Sequence, residues 1–177
     1  MTDAGRNFVD RSRAYLTDEY RIKIRRAVES LPPGTLWARP NEESNSVGNL
    51  VLHLAGNVRQ WIVSGVGGAR DVRDRAGEFA AREGMGAHEL LERLDETLDE
   101  ADAILARVRP EQLAEPRTIQ GRDVTVLDAI YQVVQHFALH LGQIILVAKA
   151  QVPGAVKFYE DAGGLARPIW KEQGSTR

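Results

Sequence analysis

Apolar residues recur at steps of three and four along almost the whole chain. This is the period of an amphipathic α-helix, in which such residues line one face. The pattern fills four segments and predicts helices over about 5–31, 47–63, 87–108 and 125–150. Prolines and glycines stand between the segments and end the helices. Four such helices in 177 residues predict an all-α fold, a four-helix bundle forming a single domain over residues 1–177.

The connection between the second and third helices is long and highly charged. Residues 70–82 carry acidic and basic side chains at short intervals. Mixed-sign charge is typical of a solvated surface, so we expect a surface loop with about one turn of helix. Residues 118–124 predict a short hairpin-like turn before the fourth helix. The C-terminal tail has a few apolar residues and is expected to pack loosely over the bundle: Phe158, Tyr159, Ile169 and Trp170.

The composition excludes several classes of function. A net charge of -2 gives no general electrostatic drive toward nucleic acid or an anionic membrane. No long apolar run predicts a transmembrane helix and no signal peptide is recognised, so we expect a cytoplasmic protein. The chain has no cysteine, which excludes disulfides, thiolate metal sites and a cysteine nucleophile. Any thiol chemistry must therefore use a small-molecule thiol.

Three of the four histidines lie in apolar helical segments. His136 and His140 are four residues apart, which places both imidazoles on one helix face, and His53 lies in the second predicted helix. One buried histidine is ordinary, but three in apolar surroundings need a common reason, and a divalent metal ion supplies one. Cβ atoms four residues apart on a helix are roughly 5–6 Å from each other, which suits two bonds of about 2.0–2.1 Å to one zinc. Three protein ligands leave a position for water or substrate, as in catalytic sites.

Three amide side chains share the faces of these histidines. Asn57, Gln132 and Gln143 are expected to hold the imidazoles in place or to face the substrate. The fourth histidine, His88, begins the third helix and is expected to be exposed. Phe137 stands where a zincin motif has glutamate, and no histidine has a glutamate three positions before it, so neither a zincin nor a di-iron bundle is predicted.

Two segments carry a family resemblance. The stretch around His53 (49–61) and the His-x-x-x-His-x-Gly-Gln element (136–143) together resemble the DinB/YfiT-like superfamily, and more narrowly its DUF1572 branch. The resemblance implies a four-helix bundle whose three histidines bind a divalent metal, commonly nickel or zinc, and a frequent homodimer. Characterised relatives include S-transferases that use bacillithiol, mycothiol or glutathione, and a mycothiol-dependent maleylpyruvate isomerase.

The preferred hypothesis is a metal-dependent thiol S-transferase acting on a small-molecule substrate, with no nucleic-acid or membrane partner. The metal would lower the pKa of a bound low-molecular-weight thiol, and the thiolate would attack an electrophile. A metal-dependent hydrolase ranks lower, because the histidine faces show no carboxylate to act as base. The third hypothesis is a bundle that binds a metal or small ligand without catalysis.

Overall fold

Four long helices form the body of the protein, which confirms the predicted all-α bundle. The computed structural model describes residues 3–154 and 156–170, so residues 1–2, 155 and 171–177 of the predicted domain lie outside it. Helix α1 spans 4–29 as Ala4–Ala14, a π-helical turn Tyr15–Tyr20, and Arg21–Glu29. Helix α2 spans 47–64 as Val47–Val58 and a second π-helical turn, Arg59–Ser64. The others are the short α3 (Arg75–Ala80), α4 (Ala87–Leu105) and α5 (Val126–Gln151).

Side chains at helical spacing on each long helix meet in one apolar core. Among the largest fully buried side chains are Ile24 from α1, Leu54 from α2, Leu94 from α4 and Phe137 from α5. Burying a side chain of this kind stabilises the fold by about 1.5–3 kcal/mol. The bundle is therefore held together by apolar packing contributed from all four helices.

Helix α5 is rich in apolar residues over its whole length. By length and composition alone, Val126–Gln151 is long enough to cross a membrane. In this fold its inner face is part of the bundle core, where Ile130, Val133, Phe137 and Ile144 are fully buried. A place in the bundle therefore accounts for the apolar residues of this inner face, while Leu127, Tyr131, Leu139 and Leu146 remain exposed on the outer face.

Most of the charged connection is exposed and contains a short helix, as predicted, but two of its charged side chains are buried. It contains α3, and Glu78 in that helix is buried against α2. The side chain of Arg73 is only 4% exposed. The expectation was wrong for these two residues because they form an ion pair with each other, which lets both leave water.

Two small hairpins complete the fold. Strands β1 (Pro116–Ile119) and β2 (Arg122–Thr125) pair before α5, at the hairpin-like turn predicted from sequence. Their two-residue turn has positive φ at Gln120 and Gly121, as a type I′ turn requires. Strands β3 (Tyr159–Asp161) and β4 (Ala166–Pro168) form the second hairpin.

Two residues that flank the C-terminal hairpin pack more tightly than expected. Phe158 and Trp170 flank it and are buried in the core. The ammonium group of Lys23 on α1 lies 3.9 Å from the Trp170 ring centre and 5.1 Å from that of Tyr159. These cation–π contacts fix the tail against α1, together with hydrogen bonds from Lys23 to the Tyr159 hydroxyl and from Arg26 to the backbone oxygen of Trp170. The expectation of loose packing was therefore wrong for Phe158 and Trp170, whereas the strands of the hairpin are largely exposed, as loose packing predicts.

Candidate metal centre

The fold brings three imidazoles from two helices into one cluster. His53 comes from α2, and His136 and His140 come from successive turns of α5. The ring centres of His136 and His140 lie 4.3 Å apart, and the His53 ring lies 4.9 and 5.0 Å from them. His88 lies on the surface beside Glu92, away from this cluster.

The spacing of the ring nitrogens fits one metal ion. One nitrogen from each ring lies within 4.8 Å of the other two. Nε2 of His53 and Nε2 of His136 are 2.9 Å apart. Nitrogens bound at about 2.0–2.1 Å to a tetrahedral zinc are roughly 3.3–3.4 Å apart, so small side-chain rotations suffice to seat an ion.

A buried ion pair holds His53 from the side opposite the cluster. Oε2 of Glu78 lies 2.9 Å from Nδ1 of His53. Arg73 donates from Nε and Nη2 to the two oxygens of Glu78, at 2.7 and 2.8 Å. Nη2 of Arg73 also lies 3.0 Å from Nδ1, but a single nitrogen cannot both donate to Glu78 and accept from Arg73. Since a carboxylate can only accept, we assign the hydrogen to Nδ1, which leaves the Nε2 lone pair facing the cluster.

The local sequence of α2 makes this contact possible. A Cβ atom at Gly56 would lie 1.9 Å from Oε1 of Glu78, so only glycine leaves room for the carboxylate. Near the start of the same helix, the Asn49 amide donates to the backbone oxygens of Glu78 and Ala81, both at 2.8 Å. Helix α2 thus both carries His53 and anchors the segment that orients it.

His140 is oriented in a similar way by Gln143. Oε1 of Gln143 lies 2.6 Å from Nδ1 of His140. Because an amide oxygen accepts, Nδ1 of His140 carries the hydrogen and Nε2 keeps its lone pair for a ligand bond. Both imidazoles that have polar partners are therefore in the tautomer that can bind a metal through Nε2.

The other two amides predicted at the site behave differently. Gln132 accepts a hydrogen bond from Gln135 at 3.0 Å, along the surface of α5. Asn57 is buried one turn after His53, and its Oδ1 has no partner among the described residues. Trp61 Nε1 and Ser64 Oγ, further along α2, are also buried without partners in the described chain. Such unpaired groups indicate room for water or a ligand between the helices.

Burial keeps the two imidazoles of α5 neutral. It lowers the pKa of His136 to about 3, and the charges of His140, His53, Arg73 and Arg75 act in the same direction. Burial also lowers the pKa of His140, although its bond to Gln143 opposes the change. Neutral imidazole is the form that binds metals, so these side chains are ready for coordination at neutral pH.

Sequence reasoning missed Arg73 and Glu78. Both lie in a charge-rich stretch, where most such side chains are solvated. The available signal was Gly56, a glycine inside a helix three residues after a candidate ligand, since such a glycine often marks a close approach by another group.

The fold and the site together define a helical bundle with a three-histidine candidate metal centre between two of its helices. The chain belongs to the DUF1572 family, described as a protein of unknown function, whose model matches residues 3–157. A solved structure of a DinB-like protein from Bacillus subtilis, YjoA, is similar, with a TM-score of 0.64 and 19% identity over 85% of this chain and 98% of that one. At this identity the likeness shows the fold alone. Among curated proteins none matches. The predicted resemblance to the DinB-like DUF1572 family is thus confirmed.

Proposed function

We propose that this protein is a divalent-metal-dependent enzyme of the thiol S-transferase class. The observation that carries the proposal is the cluster of three imidazoles, in which hydrogen bonds at Nδ1 direct the Nε2 lone pairs of His53 and His140 toward the cluster. Nickel and zinc are the metals we favour, because imidazole nitrogen suits both. When bound, such an ion would hold a low-molecular-weight thiol as its thiolate near neutral pH.

The residues of the chain have distinct tasks in this proposal. His53, His136 and His140 hold the ion and leave a coordination position for the sulfur. Glu78 and Gln143 accept hydrogen bonds from Nδ1 of His53 and of His140, and so keep these two rings in the tautomer whose Nε2 can bind the metal. No cysteine of the chain can compete for the metal or for the electrophile, because the sequence contains none.

A groove beside the cluster offers space for the second substrate. It has a volume of about 520 Å³ and runs from Gln143, which contacts His140, along α5 to Ala150. Leu50, Leu146 and Val147 make its wall mostly apolar, and Glu43 lies at its edge. Pockets of this size and polarity bind small organic molecules, so the groove fits an apolar electrophile.

Hydrolysis is less well supported. A metal-bound water needs a base with a free lone pair near the open position. Glu78 is the carboxylate bonded to the cluster, but it accepts from Nδ1 of His53 and from Arg73. It is therefore committed to orienting His53 rather than to accepting a proton from water.

The test is conjugation of a thiol to a model electrophile. Protein loaded with zinc or nickel is mixed with 1-chloro-2,4-dinitrobenzene and, in turn, bacillithiol, mycothiol or glutathione. We expect at least one thiol to react faster than with metal-free protein, and the gain to disappear in His140→Ala. A loaded protein that binds its metal but accelerates none of the three reactions would contradict transferase activity and favour metal binding without catalysis.

We also propose that the protein forms a homodimer through the outer face of α5 and acts in the cytoplasm. Tyr131 and Leu139 on that face are 62% and 58% exposed, and exposed apolar groups on one helix favour association. Light scattering should give the mass of two chains for the wild type and of one chain for Leu139→Glu. A wild type that stays monomeric across the concentration range of the experiment would refute the dimer.

A further inference from the structure

The side of the cluster next to α3 carries an arginine that has no carboxylate partner in the described part of the chain. Arg75 is exposed, and its guanidinium carbon lies 4.9 Å from the centre of the Phe79 ring. The Phe79 ring in turn lies 4.6 Å from that of His53. Among the residues the structure describes, no ion pair neutralises Arg75, whereas neighbouring Arg73 is bonded to Glu78.

The Phe79 ring gives Arg75 a defined place. A guanidinium over an aromatic face is attracted by the ring, and the contact leaves its N–H donors free at the edge. The backbone oxygen of Phe79 accepts from Arg39, and the Asn49 amide holds the neighbouring Glu78 and Ala81 oxygens. The segment that carries the Phe79 ring is therefore held in place by α2 and by the loop that precedes α2.

The electrostatic surroundings of the cluster favour an anion. The positive charge of Arg75 is joined to the cluster through the Phe79 ring, which contacts both Arg75 and His53. Three neutral imidazoles would leave the two positive charges of a divalent ion uncompensated. Because His136 and His140 are only partly buried, a ligand can approach from the solvent side.

We propose that Arg75 binds the carboxylate of a small anionic ligand whose other end coordinates the metal, so that the site selects thiols carrying a carboxylate. The assignment rests on the proposed function for the thiol and, for the anion, on the contacts of the Phe79 ring with Arg75 on one hand and His53 on the other. Arg75 acts here as a specificity-determining residue. Its planar guanidinium can donate two parallel hydrogen bonds to the two oxygens of a carboxylate. A ligand with a neutral hydroxyl in place of the carboxylate cannot accept both.

The experiment compares two thiols that differ in this one group. Protein loaded with Co²⁺ is titrated with 3-mercaptopropionate and with 3-mercapto-1-propanol, and binding is followed by the sulfur-to-cobalt charge-transfer absorption. We expect the carboxylate to bind about tenfold more tightly to the wild type, the usual effect of one charge-assisted hydrogen bond. Arg75→Gln should abolish the preference and leave the affinity for the alcohol unchanged. Arg70→Gln removes an exposed arginine of the same connection and should keep the preference.

A second pair of probes separates this inference from the thiol function. Imidazole and 4-imidazoleacetate coordinate through nitrogen, and their binding is read from the cobalt d–d spectrum. If neither thiol binds, the thiol function fails, but a preference for 4-imidazoleacetate that Arg75→Gln removes still supports the anion site. Equal affinities within both pairs, or a preference that survives in Arg75→Gln, would overturn the role of Arg75.

Discussion

The side chain of Glu78 is only 9% exposed, and a buried carboxylate is costly unless it is paired. Burial alone would raise its pKa, but hydrogen bonds from Arg73 and His53 outweigh that effect and hold the pKa below its usual value. Glu78 is therefore ionised, and its charge favours a hydrogen on Nδ1 of His53. A carboxylate behind a ligand imidazole makes Nε2 a better donor to the metal.

We expect Glu78→Gln to weaken metal binding by about 10–100-fold, the usual effect of losing such a partner. The amide keeps the size of the side chain and one acceptor oxygen but removes the charge. Competition with a chromophoric chelator measures the dissociation constant, and circular dichroism shows that the helices persist. Glu83→Gln, an exposed position in the same connection, is the matched control and should change nothing. An unaltered dissociation constant in Glu78→Gln would show that the contact with His53 is incidental.

Residue type explains why the ligands were predictable and their partner was not. Histidines are rare in this chain, and their helical spacing alone placed His136 and His140 on one face. Glutamates and arginines are common and usually solvated, so nothing in the local sequence distinguishes Glu78 from Glu83. The difference arises from the path of the connection over α2, which is a tertiary property.

At the scale of elements, the site depends on how closely α3 approaches α2. Gly56 lies inside α2, where glycine costs about 1 kcal/mol relative to alanine. The free energy lost in the helix is offset by contact, since Glu78 occupies the space that a side chain at this position would fill. At position 56, helix propensity therefore favours alanine, whereas the contact with Glu78 requires glycine.

Gly56→Ala should destabilise the protein by about 1–3 kcal/mol despite its better helix propensity, because overpacking displaces the Arg73–Glu78 pair. The same change should weaken metal binding. Gly142→Ala in α5 is the matched comparison, because nothing lies within 4 Å of its added methyl group. It should stabilise by about 0.5–1 kcal/mol. Urea denaturation measures both, and a stabilised Gly56→Ala would mean that Glu78 moves away from α2 at little cost.

At the scale of the whole molecule, the bundle could be predicted because its pattern is repeated in every helix. Each long helix carries an apolar stripe, and the sum of many weak signals is reliable. The C-terminal hairpin could not be predicted in the same way. Its attachment depends on a few contacts between residues far apart in sequence, among them Lys23 against Trp170 and Tyr159, and on the burial of Trp170.

The apolar core also predicts how the protein behaves without metal. Its fully buried apolar side chains come from all four long helices, whereas two of the three histidines between α2 and α5 are only partly buried. We expect His136→Ala and His140→Ala to abolish metal binding while circular dichroism stays that of the wild type. Metal at about 100 times its dissociation constant should stabilise the wild type by about 2.7 kcal/mol and raise its Tm, with no effect on either variant. If chelation instead removes the helical signal, the ion is structural, and metal binding without catalysis becomes the better account of the protein.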